Sequence, residues 1–163
     1  IFDKNLNQKE SIRFHQGTGP RHGVFSKDGE YLYLVSELSN ELFVIHCGDW
    51  KIEACIGVLE NDEKHVRGTA AIRLDEAEDR IYVSTREKDV LSVIQLNNHI
   101  PTLMQVTSCG GKHPRDFILA DGYLLCANRY SNDIISFKLE ADGRIGRQVG
   151  RTEIPEPVSL AAE

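Results

Sequence analysis

Three segments of the chain repeat the same pattern, and this internal repeat constrains the fold more than any other feature. The segments begin at Tyr31, Arg80 and Tyr123 and align without gaps. One equivalent position in them is occupied by Glu37, Arg86 and Arg129, at spacings of 49 and 43 residues. A repeat of about 40–50 residues that contains four strands is typical of a β-propeller blade.

Short segments of alternating or continuous apolar residues dominate each repeat, and helical periodicity is nearly missing. Gly, Asp and Asn separate these segments. Two of the turns, at residues 27–29 (KDG) and 120–122 (ADG), carry the flexible residues that a tight hairpin needs. The pattern predicts strands at 22–26, 31–36, 41–47, 52–59, 69–74, 80–85, 90–95, 102–108, 115–120, 123–127, 133–139 and 146–153.

We therefore predict a single all-β domain over residues 1–163, a partial β-propeller with three complete four-stranded blades at about 20–60, 67–109 and 113–152. Residues 1–16 are interpreted as the outer part of a preceding blade, and residues 157–163 as one more inner strand. Propellers have four to eight blades, so three blades should not close a ring. The chain lacks an initiator methionine. We expect a piece of a longer protein that pairs with itself or with the missing blades.

Composition excludes several classes of protein. The chain has 25 acidic and 19 basic residues, so it lacks the basic surface of a nucleic-acid-binding domain. It has no apolar run of membrane-spanning length and no signal peptide, which predicts a cytoplasmic protein that does not bind membranes. The four cysteines form no C-x-x-C pair, which argues against zinc, and we expect four reduced thiols. No metal or cofactor is predicted.

Charged residues cluster at one edge of the predicted blades. The first strand of a blade lines the central channel and the second runs antiparallel to it. The start of the first strand and the end of the second therefore lie on the same face. Six charged or titratable residues occupy such positions in three successive blades: Arg21, His22, Glu37, Arg86, Arg115 and Arg129. Several arginines around one carboxylate are suited to bind a compact phosphate or carboxylate, and a neighbouring His or Glu can move protons.

Each of these residues, taken alone, also has a structural explanation. A glutamate at a strand end is usually a solvated surface residue, and His22 is compatible with a half-buried structural histidine. Arg21 and Arg115 follow prolines and are compatible with salt bridges between blades. Their coincidence on one face favours a functional site. The sequence has no Gly-x-Ser-x-Gly motif, which disfavours a serine hydrolase.

Four motifs resemble those of the seven-bladed propeller lactonase family, which includes the propeller-type 6-phosphogluconolactonases and the fungal carboxymuconate cyclase. Residues 17–25 (GTGPRHGVF) and 36–38 (SEL) resemble one repeat of that family. Residues 111–117 (GKHPRDF) and 127–132 (ANRYSN) resemble a later repeat. The resemblance covers nearly the whole chain, as the C-terminal half of a family member.

This resemblance implies a metal-independent hydrolase that acts on 6-phosphoglucono-1,5-lactone in sugar-phosphate metabolism. By position, Arg21 and Glu37 match active-site residues of the family, and Arg86 matches the arginine of a later strand. The family's first half, which contributes a further active-site histidine, is absent from this chain, and Arg129 stands where the family has Gln or another polar residue. We therefore predict catalytic roles for Arg21, His22, Glu37 and Arg86, and substrate binding by Arg115 and Arg129.

A mechanism follows as a hypothesis. Arg86 and Arg115, with Arg21, neutralise the phosphate and the developing oxyanion, while Glu37 or His22 activates water. The expected ligand is a small anionic sugar lactone. Two alternatives stay open: a related lactonase or cyclase that acts on a carboxylated substrate, and a non-catalytic propeller that serves as a binding platform. In either case, activity of the full-length protein does not require that the isolated fragment is active.

Overall fold

Twelve β-strands form the regular secondary structure of the computed structural model, which describes residues 1–60 and 66–161. They are β1 (Pro20–Phe25), β2 (Tyr31–Ser36), β3 (Glu41–His46), β4 (Lys51–Gly57), β5 (Thr69–Leu74), β6 (Arg80–Thr85), β7 (Val90–Asn97), β8 (Ile100–Ser108), β9 (Pro114–Ala120), β10 (Tyr123–Asn128), β11 (Asp133–Leu139) and β12 (Ile145–Glu153). All twelve predicted strands are present, with ends that differ by two residues or fewer. The prediction of an all-β partial propeller is confirmed.

The strands form three antiparallel four-stranded sheets in simple chain order, β1–β4, β5–β8 and β9–β12. The first strands of successive sheets lie side by side, β1 against β5 and β5 against β9. At the other edge, β4 lies against β8. The sheets therefore fan out from an inner edge formed by β1, β5 and β9, as blades do around a propeller channel.

The core consists of two apolar layers, one on each face of the middle sheet. Successive side chains of a strand point to opposite faces. In β6, Tyr82 packs into the layer shared with the third sheet, while its neighbours Ile81 and Val83 pack into the layer shared with the first sheet. Cys126 is fully buried in the layer beside the third sheet. The middle sheet is thus buried on both faces.

Tight turns join the strands as the Asp-Gly pairs predict. Asp121 and Gly122 connect β9 to β10 with φ angles of 49° and 79°, in the left-handed region that two-residue hairpin turns require. Gly29, in the turn between β1 and β2, has a φ of 74°. No helix occurs among the described residues, and none of them therefore forms a helix that could cross a membrane.

The segments that flank the sheets are irregular. Near the N-terminus, Phe14 packs edge-to-face on Phe43, with ring centroids 4.9 Å apart. The inner strand expected at 157–163 does not form over residues 157–161, and residues 162–163 lie outside the described part. A β-strand needs a neighbouring strand to take its backbone hydrogen bonds. The Leu160 N–H instead donates to the carboxylate of Asp116, at 3.0 Å.

Candidate active site at the channel mouth

The inner strands carry a β-bulge where they begin, at the edge that we call the mouth. In β1, Arg21 is the extra residue between Pro20 and His22. Arg115 occupies the same place in β9, directly after Pro114. A bulge takes one residue out of the strand's regular alternation and redirects its side chain. The local backbone therefore presents an arginine at the mouth in both the first and the third sheets.

Glu37, which directly follows β2, connects the first two sheets at this mouth. Its Oε1 accepts a hydrogen bond from Arg86 Nη2, and its Oε2 lies 3.4 Å from Arg21 Nε. Backbone carbonyls at the start of the middle sheet hold both guanidinium groups. Arg21 Nη1 donates to Ala70 O in β5 at 2.7 Å, and Arg86 Nε donates to the carbonyl of Gly68, directly before β5, at 3.1 Å. The carboxylate is thereby fixed between two arginines from adjacent blades.

Electrostatics keep the Glu37 carboxylate ionised. Burial alone would raise its pKa, but the hydrogen bond and charge of Arg86 and the charges of Arg21 and Arg115 outweigh burial, so the pKa is lowered. The pKa of Arg21 is also lowered, first by burial and then by the charge of Arg86. Arginine stays protonated despite such a shift. At neutral pH the cluster therefore holds one negative and two positive charges.

His22 lies beside this cluster as a neutral imidazole. Its Nδ1 is 2.9 Å from Arg21 Nη1. A guanidinium can only donate, so the ring nitrogen that faces Arg21 acts as an acceptor; the same Nη1 lies 3.4 Å from Nε2. Burial lowers the pKa of His22, and the charges of Arg21 and Arg73 lower it further. The nitrogen that could accept a proton is thus already engaged by Arg21.

An ion pair that sequence reasoning missed lies next to His22. Arg73 Nη2 in β5 is 2.7 Å from Asp116 Oδ1 in β9, which joins the second and third sheets. Its charges act on the pKa of His22, with Arg73 lowering it and Asp116 raising it. A signal for Asp116 was present in the sequence, because it follows Pro-Arg as His22 does. Arg73 is the second-to-last residue of β5 and gave no such signal.

Arg115 is at the same mouth but has no ion-pair partner among residues 1–60 and 66–161. Its positive charge contributes to the lowered pKa of Glu37 and of Arg21. Arg21 and Arg86 share Glu37, whereas no described carboxylate lies within salt-bridge distance of Arg115. Arg115 is therefore a cation whose charge is available to a bound anion.

Arg129 does not join the Glu37 cluster. Its Nη2 lies 3.4 Å from Glu156, and its guanidinium carbon is 5.5 Å from the centre of the Tyr130 ring. The structure places it on the third sheet, beside His113, which the sequence analysis included only as part of the motif at residues 111–117. Burial lowers the pKa of His113, and the charges of Arg86, Arg115 and Arg129 lower it further. This histidine therefore belongs to the mouth.

The cysteines are poor candidates for nucleophiles. All four are free thiols, and Cys109 and Cys126 are fully buried. Burial raises the pKa of Cys55 and of Cys109 to about 12, so neither is a thiolate at neutral pH. Within the described part of the chain, no three His, Cys, Asp or Glu side chains come together as a metal site requires. The predicted absence of a metal stays a prediction.

A surface cavity of about 580 Å³ lies farther out on the third sheet. Ser131, Asn132, Glu153, Ile154 and Pro155 line it. None of the six predicted site residues borders this cavity. The convergent charges, rather than the volume of the cavity, therefore locate the candidate site at the mouth.

Comparison with known proteins shows to which protein family this chain belongs. The family described as "Lactonase, 7-bladed beta-propeller" matches residues 2–162. The chain belongs to this family. It is 27% identical over 169 residues to the 6-phosphogluconolactonase of Bacillus subtilis, a match that covers 98% of this chain and 48% of that protein. It is 31% identical over 134 residues to an uncharacterised protein of Staphylococcus saprophyticus, covering 78% and 39% of the two chains.

Solved structures contain the same architecture as part of a longer chain. The periplasmic gluconolactonase of Pseudomonas aeruginosa superimposes with a TM-score of 0.85 at 25% identity, over 92% of this chain and 44% of that one. A protein from Lactobacillus plantarum superimposes with a TM-score of 0.83 at 28% identity, over 90% and 46% of the two chains. The chain spans about half the length or less of the relatives it matches. At the level of the family, these likenesses support lactone hydrolysis.

Proposed function

We propose that the full-length protein containing this chain hydrolyses 6-phosphoglucono-1,5-lactone to 6-phosphogluconate. The observation that carries the proposal is the Glu37 carboxylate held between Arg21 and Arg86, from two adjacent blades, at the inner edge of a lactonase propeller. Membership of the lactonase family and the likeness to the Bacillus subtilis 6-phosphogluconolactonase support the reaction and the substrate.

Glu37 is the residue that we assign to the attacking water. The carboxylate keeps unused lone pairs after binding two arginines. It accepts a proton from water as the water oxygen bonds to the lactone carbonyl carbon. The ring C–O bond then breaks, and the departing ring oxygen takes this proton, which leaves the open-chain acid. A lactone is an activated ester, so a carboxylate of low basicity suffices.

His22 is less suited to be the base. Its Nδ1 accepts a hydrogen bond from Arg21 Nη1 at 2.9 Å, and protonation of Nδ1 would place its N–H against the N–H of Arg21. Its role in the proposal is to hold Arg21 beside Glu37. Arg86, mostly buried with its side chain 14% exposed, supplies positive charge to the oxyanion that forms on the carbonyl.

The phosphate of the substrate is assigned to the third-sheet side of the mouth. Arg115 has no ion-pair partner in the described chain, and a phosphate binds well to arginine through two parallel hydrogen bonds. Glu37 neutralises part of the charge of Arg21 and Arg86, so those two attract a second anion less strongly. The reacting carbonyl and the charged end of the substrate thus occupy opposite sides of the mouth.

The test is hydrolysis of freshly prepared 6-phosphogluconolactone by the full-length protein, corrected for the spontaneous rate. We expect Arg86→Ala to lower kcat/KM by about 100-fold or more, the usual effect of removing a group that stabilises an oxyanion. Arg144→Ala is the matched control, because Arg144 pairs with Asp142 at the opposite end of the third sheet. Full kcat/KM in Arg86→Ala, or no rate above background from a folded protein, contradicts the proposal.

A further inference from the structure

Two buried nitrogens near the mouth have no hydrogen-bond partner among the described residues: His113 Nδ1 and Arg129 Nε. The only other such side-chain atom there, Asp133 Oδ2, lies 2.8 Å from Arg151 in an ion pair. Buried polar atoms in folded proteins nearly always have a partner. Two neighbouring residues that both break this rule indicate a site where a bound group supplies the partners that the described residues lack.

The backbone holds these two residues together. The Arg129 N–H donates to the His113 carbonyl at 3.1 Å, and the Tyr130 N–H donates to the Lys112 carbonyl at 3.1 Å. The Lys112 N–H donates in turn to Ser131 Oγ at 2.8 Å. The turn before β9 is therefore joined to the turn after β10. This arrangement fixes the positions of His113 and Arg129 before any ligand binds.

Tyr130 covers the pair. Its ring stacks on the His113 ring, with centroids 4.0 Å apart, and lies 5.5 Å from the Arg129 guanidinium carbon. The Tyr130 residue itself is 61% exposed. Such an exposed side chain can rotate on a nanosecond timescale. The stacked ring can therefore move off His113 without a change in the backbone.

The charges around His113 select an anion. Arg86, Arg115 and Arg129 all act on its pKa, and with burial they keep the imidazole neutral at neutral pH. On the acidic side, Asp89 accepts the His113 backbone N–H at 2.6 Å, and Glu156 lies 3.4 Å from Arg129. A neutral imidazole still donates one N–H. The hydrogen-bond donors of Arg129 and His113 therefore lie near Arg115, whose guanidinium has no described carboxylate as a partner.

We propose that His113, Arg115 and Arg129 form a subsite for the phosphate group of a phosphomonoester substrate, with Tyr130 as its cover. We call these three residues the third-sheet subsite. The inference rests on the proposed function, since it separates the phosphate from the lactone carbonyl at Glu37. A phosphate offers three acceptor oxygens, one for each donor group, and carries nearly two negative charges. A neutral sugar lactone makes no such contact.

The experiment compares two lactones in the full-length protein. His113→Asn and Arg129→Gln should each lower kcat/KM for 6-phosphogluconolactone by about 10-fold or more, and change that for unphosphorylated gluconolactone by less than about twofold. His46→Asn is the matched control, because His46 pairs with Asp49 at the opposite end of the first sheet. An equal loss with both lactones overturns the subsite.

A second measurement separates this inference from the proposed function. Inorganic phosphate should raise the Tm of the unmodified full-length protein, and the rise should be lost in Arg129→Gln but kept in His46→Asn. If no lactone is hydrolysed but this pattern appears, the proposed function fails and the phosphate subsite stands. If phosphate does not raise Tm, or raises it equally in Arg129→Gln, the subsite is overturned.

Discussion

The two sides of the mouth share one backbone device but differ in chemistry. On the first-sheet side, the bulged arginine is Arg21, and Glu37 binds it together with Arg86. On the third-sheet side, the bulged arginine is Arg115, and no described carboxylate pairs with it. The difference teaches that a repeated backbone position does not fix a residue's role. The residue that lies opposite the bulged arginine decides whether this arginine pairs with a carboxylate of the protein or is available to bind a ligand.

The source of the difference is a single repeated position. Glu37, Arg86 and Arg129 each directly follow the second strand of their sheet. A carboxylate there neutralises the neighbouring bulged arginine, whereas a guanidinium adds to its charge. Substitutions on the two sides can therefore show whether one side serves the chemical step and the other serves substrate binding.

The largest effect is expected on the first-sheet side. Glu37→Gln keeps the size of the side chain but removes the proton acceptor, so kcat/KM for the lactone should fall by about 100-fold or more, mainly through kcat. The measurement is steady-state kinetics of the full-length protein. Glu41→Gln is the control, because Glu41 binds His15 at 2.8 Å on β3, four residues farther along the chain.

If Glu37→Gln changes only KM, the two sides of the mouth are not divided between chemistry and binding, because Glu37 then serves binding rather than the chemical step. If Glu41→Gln loses as much activity as Glu37→Gln, the effect comes from the fold of the first sheet. Thermal unfolding of both variants distinguishes these outcomes.

A smaller effect, of a different kind, is expected on the third-sheet side. Arg115→Ala should raise KM for 6-phosphogluconolactone by about 10- to 100-fold, with kcat changed only a few-fold, because a charged hydrogen bond to the substrate is lost. Arg144→Ala should leave both constants unchanged. A fall in kcat that matches the one in Glu37→Gln would show that both arginine clusters act on the reacting carbonyl.

The smallest effect concerns the pH dependence of stability. The pKa of His22 and of His113 is lowered, so the folded state binds a proton less readily than the unfolded chain. Stability should therefore decline as pH falls below about 6.5, the ordinary histidine value. The pKa of Glu37 is also lowered, so its contribution is present above the ordinary glutamate value and is lost at lower pH.

Thermal unfolding of the full-length protein between pH 8 and pH 3 measures both steps. His113→Asn should reduce the decline just below pH 6.5, and Glu37→Gln should reduce only the decline below about pH 4.5. A pH profile that neither substitution alters would show that other titrating groups control acid stability.

Repeats and strands were predictable because both are local properties. The alternation of apolar residues and the Asp-Gly turns located all twelve strands, and the sheets group them as the repeats indicated. The strand expected at 157–163 did not appear over the described residues 157–161, because a strand depends on a partner that local sequence does not supply. Four site residues, Arg21, His22, Glu37 and Arg86, are placed together at the mouth as the blade geometry predicted.

The sequence by itself determined the β-propeller repeat, the family resemblance and the edge on which the charged residues meet. Only the tertiary structure decided which charges pair, because pairing depends on distances across separate blades. In the structure, Arg73 pairs with Asp116, and Arg21 donates to a ring nitrogen of His22. Arg115 has no carboxylate partner among the described residues. The tertiary structure also brought His113 into the site. These contacts depend on bulges and turns that redirect side chains, a detail that the periodicity of the sequence does not record.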